Sequence, residues 1–356
     1  MITEPSVPQT DVSVTLPEGL PPHRAGQNRQ PGRSWRPVRT LAALTRRHWI
    51  LTGLLVAGLG LRVITQIAYR PALFYIDSYR YLTGSAGYDP EGYRFLLAPI
   101  LWAGNLAVVP AFQHLLGLAM GLAIYTVLVR RGAPRWAGAL AAAPILLDAY
   151  QLQMEQTIMP DVVFEAFILG GLVILLWKPR PGLGRIIACA LVMGLATDVR
   201  QVGEALIVPV AVFAALMTRG GWRRAGHLGL AAACFAVPVL GYMAISQVTG
   251  NGFALTTRGT DVLYGRAAVA ANCATLKIPR YERPLCPTAA EKSLGIDQIL
   301  NDADAPYRSY QPPPGKTANH AVGDFVARVA TQQPLSMPLS VLRDSVRLFS
   351  KSTCAF

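Results

Sequence analysis

The sequence predicts an all-α membrane protein, a polytopic bundle of about seven transmembrane helices with an outward-facing soluble C-terminal segment. Three observations predict it. Of the 356 residues, 52% are hydrophobic and only 15% are charged, and the mean hydropathy is +0.34, too apolar for an ordinary soluble chain. Apolar runs of roughly 17–25 residues recur, the length a bilayer-spanning helix requires. The basic residues lie in short blocks after alternate runs, as the positive-inside rule orders cytoplasmic loops. The formal net charge of +13 alone would suit a nucleic acid, but this distribution encodes topology instead, and no nucleic-acid partner is expected.

Three regions follow. Residues 1–48 read as a disordered basic cytoplasmic tail, rich in proline and arginine, with no apolar signal-peptide core near Met1. Residues 49–248 hold the predicted spans, at 49–69, 111–130, 136–150, 159–177, 184–198, 203–218 and 226–248. The blocks Arg130, Arg131 and Arg135, then Lys178, Arg180 and Arg185, then Arg219, Arg223 and Arg224 fall on one side with the tail. The expected location is therefore the cell membrane, multi-pass, with a cytoplasmic N-terminus. Phe95 to Pro110 is apolar but interrupted by Pro99, Gly104 and Asn105. If it crossed, every later arginine block would change side, so it reads as an interfacial or re-entrant helix. Residues 249–356 form the extracytoplasmic segment, ending in an amphipathic stretch from Leu339 to Phe349.

The outward side collects the membrane-proximal acids. Asp77, Asp89 and Glu91 lie in the first outer loop, 70–110, and Asp148 ends the third span. Glu155 follows, Asp161 and Glu165 open the fourth span, and Asp198, Arg200, Gln201 and Glu204 surround the next turn. Ionisable groups at the edge of lipid are costly and often mark function; solvated loop charge is the alternative, foremost for Asp89 and Glu91. Asp161 and Glu165 are four apart and share a helix face. His114 reads as packing or as a phosphate contact. Arg80 and Arg94 either balance nearby acids or bind an anion. The tyrosines beside Asp77, Tyr79 among them, suit a sugar or an interfacial belt. Cys273 and Cys286 lie outward, where an oxidising compartment favours a disulfide over two free thiols. A cross-link around that loop is worth about 3 kcal/mol.

Several of these segments together carry a resemblance. An acid follows the first span in Tyr75-Ile76-Asp77-Ser78-Tyr79, and an apolar interfacial segment leads to the second. Met154 to Asp161 forms an acidic turn, and Gly194-Leu195-Ala196-Thr197-Asp198-Val199-Arg200-Gln201-Val202-Gly203 forms a polar hairpin. In pattern and order, over about residues 49–250, this resembles the GT-C integral-membrane glycosyltransferases of the protein O-mannosyltransferase and aminoarabinose transferase-like branch. Against that family the chain reads as shortened after its seventh span, and the usual Asp-Glu pair is Asp77-Ser78. The resemblance implies a polyprenyl-phosphate sugar donor, a membrane-lipid setting and a glycan or protein acceptor. Asp77 is then the expected catalytic base and Asp161 a second catalytic carboxylate. Tyr79, Arg80, Arg94, Glu155, Asp198, Arg200 and Gln201 are the expected substrate-binding set, with Arg200 on the phosphate. No cofactor is indicated, and a divalent metal stays open. A transporter and a non-catalytic membrane subunit or scaffold are the rival readings.

The topology is testable by cysteine labelling with an impermeant reagent. Asp77, Glu155, Arg200 and Cys273 are expected outside and Arg131, Arg180 and Arg223 inside; cysteines placed at 77 and 200 should label from outside intact cells and those at 131, 180 and 223 only after permeabilisation. External labelling at 131 would overturn the arrangement.

Overall fold

A computed structural model describes residues 45–348, apart from 86, 219, 303 and 304. The basic tail up to position 44, Arg219, Phe349 and Cys354 lie outside the described residues. Among the described residues every named element is helical, and an isolated β-bridge joins Leu73 to Thr157.

The membrane-type part comprises α1 (Trp49–Ala68), α2 (Ser78–Thr83), α3 (Gly92–Leu101), α4 (Val108–Arg130), α5 (Arg135–Leu147) and α6 (Ala149–Gln156). It continues with α7 (Asp161–Leu176), α8 (Leu183–Val199), a 3₁₀ turn (Gln201–Leu206), α9 (Ile207–Met217) and α10 (Gly221–Val248). Among the described helices, α1, α4 and α10 are long and apolar enough to cross a bilayer singly. The other four predicted spans are carried by shorter helices. The sixteen residues of α7 rise about 24 Å, short of a hydrocarbon core of about 30 Å. The predicted 136–150 span breaks at Asp148, whose extended backbone ends α5 and whose carboxylate accepts from the Gln151 amide to start α6. The predicted 203–218 span begins instead as the 3₁₀ turn. The ten-residue α3 is likewise too short to cross, and α4 starts at Val108.

The two ends of the bundle differ in charge. At one end Arg130 donates to the Trp177 carbonyl at 3.1 Å with its guanidinium 4.8 Å from the Trp177 ring centroid, and Arg185 donates to the Ile174 carbonyl. The ends of α4 and α7 and the start of α8 thus share one basic rim. At the opposite end Leu73 pairs with Gln156 and Ile158, and Glu91 donates its amide to the Tyr242 hydroxyl. The acidic loops gather there. On the flanks of α1 and α10, Val56, Val63, Ile64, Val237 and Leu240 are exposed, a surface that lipid suits and water does not.

A buried polar network fixes that acidic end. Arg62 of α1 is 2% exposed and Glu155 of α6 is 0% exposed. Their side chains pair at 2.7 Å, and Arg62 also donates to the Gly58, Ile145 and Leu146 carbonyls. The other Glu155 oxygen meets His114 Nδ1 at 2.8 Å, and His114 Nε2 meets Gln156 at 2.9 Å. Gln113 donates to the carbonyls of Glu155 and Thr157 and accepts from the Tyr93 hydroxyl. The close approach of α4 needs Gly117, since a Cβ there would overlap Glu155 Oε1.

Residues 259–348 pack around a core of their own, with Tyr264, Leu285, Ile299, Phe325 and Val329 buried in it. The elements are α11 (Gly259–Ala270), a 3₁₀ turn (Arg280–Leu285), α12 (Ala289–Leu294), α13 (Ile296–Asn301), α14 (Pro306–Ser309), α15 (Ala318–Gln332) and α16 (Ser336–Leu348). A reciprocal Thr288–Glu291 capping box starts α12. Cys273 and Cys286 are bonded, with Cα atoms 6.1 Å apart. The loop between them contributes Leu276 and Leu285 to the core.

Two measurements follow. Non-reducing mass spectrometry should find Cys273 and Cys286 unreactive to alkylation until reductant is added. In detergent, Glu155→Leu should cost about 3–5 kcal/mol in unfolding because it strands a buried guanidinium. Arg62→Met with Glu155→Leu should recover most of that loss, and equal loss in both variants would contradict the pairing.

Candidate functional site

The acidic end is built from four turns. The first outer loop wraps so that Arg80, on the short α2, pairs with Asp77 at 2.8 Å and with Asp89 at 2.7 Å. Gly87, at φ +82°, takes a conformation that favours glycine and accepts from the Thr257 amide at 2.7 Å. Ser85 donates to Glu91, which also pairs with Arg94 at 3.2 Å. Asp161 opens α7 and pairs with Arg200, which follows α8. Tyr81, also on α2, is buried. Burial first, then Asp89, holds its phenol proton well above the ordinary range, and Arg200, Asp77 and Arg80 also act on it.

Beside these pairs opens an apolar groove of about 410 Å³. Phe95 and Leu96 of α3, Phe167 of α7, Leu195 of α8, and Pro238 and Ile245 of α10 form its walls. Asp198 and Tyr242 are its polar members. Asp198 is 8% exposed, and its Oδ1, like Oδ2 of Asp161, is buried without a protein hydrogen-bond partner. Such an atom has spare acceptor capacity in an apolar wall.

The structure sorts the predicted residues. Asp77 pairs with Arg80 and Asp161 pairs with Arg200, and Asp77, Arg80 and Arg200 all act on the Tyr81 phenol. Asp198 lines the groove, and Arg94 sits half-exposed above Gly84. Gln201 accepts from Thr256 at 3.3 Å, tying the rim to the segment after α10. Tyr79 points outward, exposed. Glu155 does not belong to the lining. It is fully buried and both its oxygens are bonded, so it binds Arg62 and His114 and has no surface for a substrate. Glu165 accepts from Gln151 at 3.2 Å, a packing bond. The Cys273–Cys286 loop turns inward to its own lobe: Glu282 pairs with Arg328 and Tyr281 meets Lys316. These contacts tie the loop to the lobe.

Other residues were not picked out by sequence. Arg62 carried one signal, a lone cation inside an apolar run. Gln113 likewise interrupts the second run. Arg258 carried none: it reaches the Tyr88 ring of the first loop at 4.8 Å and Asp261 at 3.6 Å, while Tyr307 donates to Asp261. Arg80 lies 5.8 Å from the same Tyr88 ring. Among the described residues no three His, Cys, Asp or Glu side chains cluster as metal ligands.

Compared with known proteins, the chain matches no family model, no curated protein and no solved structure.

Proposed function

We propose that the chain is a multi-pass membrane glycosyltransferase that moves a sugar from a polyprenyl-phosphate donor to a glycan or protein acceptor outside the cytoplasm. The observation that carries this reading is the juxtaposition at one end of the bundle of Asp77, paired arginines and an apolar groove. A lipid-linked sugar has that same division, a long apolar chain joined to a charged headgroup. In this reading seven helical passes carry the chain, and the shorter helices cross by packing on α1, α4 and α10, where protein rather than lipid meets their polar ends.

The chain's own residues divide the chemistry. Asp77 accepts the proton of the acceptor hydroxyl, whose oxygen attacks the anomeric carbon. The bond from that carbon to the phosphate oxygen breaks, and polyprenyl phosphate leaves with the electron pair. Arg200 offers its guanidinium to the departing phosphate, with Arg94 nearer the surface assisting. Asp89 keeps Arg80 in place while Asp77 turns from it to the acceptor. Asp161 holds Arg200 and takes the role of positioning residue. Asp198 accepts a bond from a donor hydroxyl at the mouth of the groove.

A non-catalytic membrane subunit is the second reading. It is favoured by the fact that Arg80, Arg94 and Arg200 each already meet an acid. Purified protein offered polyprenyl-phosphate sugars separates the two, with solute flux in vesicles as the check for a transporter. Asp77→Asn should lower transfer by about 10²-fold or more and leave the unfolding temperature unchanged, since Arg80 retains Asp89. A loss of about tenfold or less would reduce Asp77 to positioning.

A further inference from the structure

The last described helix, α16, has two unlike faces. Leu335, just before it, and Leu339, Leu342 and Val346 follow a spacing of four, three and four, which places them in one stripe of a 3.6-residue period. They are 68%, 57%, 59% and 61% exposed. The opposite face is fastened to the lobe. Met337 packs on the core, and Arg266 of α11 donates to Ser340 and pairs with Asp344. That attachment turns the stripe away from the protein. Val262 and Leu263 of α11 are exposed as well.

The surroundings say what covers it. The lobe begins where α10 ends at Val248, and Thr257 and Thr256 bond to Gly87 and Gln201 at the rim of the bundle. A chain whose α1, α4 and α10 cross a bilayer carries this lobe at the lipid surface. Arg343 and Arg347 flank the stripe on one side, and the acid of the helix, Asp344, faces the lobe. Basic residues beside a large apolar stripe suit anionic headgroups above acyl chains. A second copy suits it less, because an antiparallel isologous pair would set the two arginine flanks against each other.

We propose that α16 lies in the plane of the membrane surface, with Leu335, Leu339, Leu342 and Val346 among the acyl chains and Arg343 and Arg347 at anionic headgroups. The proposal rests on the membrane reading of the chain and is independent of sugar transfer. The test uses the full chain, lacking Cys189, Cys234 and Cys354, in phosphatidylcholine vesicles containing phosphatidylglycerol. Nitroxide labels go singly at Leu339→Cys, Leu342→Cys, Gln332→Cys and Leu240→Cys. Labels at 339 and 342 should favour oxygen over a water-soluble nickel chelate by about threefold or more relative to 332. Adding Arg343→Glu and Arg347→Glu should abolish that preference for lipid. A lipid-like label at 240 with water-like labels at 339 and 342 overturns the docking alone. A water-like label at 240 overturns the membrane reading itself. Spin–spin broadening between copies at 339 overturns lipid in favour of self-association.

Discussion

Burying an arginine and a glutamate among apolar helices is costly unless each meets the other and their remaining polar atoms find partners. Arg62 and Glu155 meet this condition almost completely: Arg62 reaches three backbone carbonyls, Glu155 reaches Arg62, His114 and Gln151, and only Arg62 Nε is left over. Because these partners come from α1, α4, α5 and α6, the pair sets how four helices meet. It also sets the loops beyond them. Gln113 and Gln156 bond to backbone on either side of the Leu73–Thr157 bridge, so the strand-like turn that leads to Asp77 is anchored to the turn that leads to Asp161. Removing the charge pair would thus loosen the candidate site from beneath.

The ion pairs of the rim use the same chemistry in a different setting. Asp77, Arg80, Arg94 and Arg200 are partly exposed, where water screens each pair and its net strength is small. Such pairs exchange partners at little cost. Asp198 represents a third setting, a carboxylate in an apolar wall with an oxygen to spare. One type of side chain, the carboxylate, is therefore structural at 155, exchangeable at 77 and 161, and available to a ligand at 198, and burial with partner count makes the difference.

The lobe after α10 closes over its own core but is not independent of the bundle. Tyr88, with Arg80 and Arg258 both near its ring, and the Thr257–Gly87 bonds form a seam between the first outer loop and the start of α11. The exposed apolar stripe of α16 then gives the lobe a second surface to satisfy.

The sequence alone determined what depends on composition and local order. Apolar runs gave a helical, lipid-suited chain, and blocks of arginine against clusters of acid separated the two ends of the bundle. A polar loop after the first run drew attention to Asp77, and the adjacent charged turns to Asp161 and Arg200. Three-dimensional structure decided what depends on partners far along the chain. Apolarity does not show that Asp148 ends one helix and caps the next, because that choice belongs to one carboxylate and one amide. Glu155 looked like Asp161 in sequence, both being acids at a membrane-level turn. Only the fold put Arg62, 93 residues away, against one and Arg200 against the other. Arg258 and Tyr88 lie in separate segments with no pattern to link them, and their contact exists because the chain returns to the same rim after the last long helix. Helix formation and bilayer preference are written residue by residue, whereas the role of a charge is fixed by which opposite charge the packing delivers to it and by how much water is left.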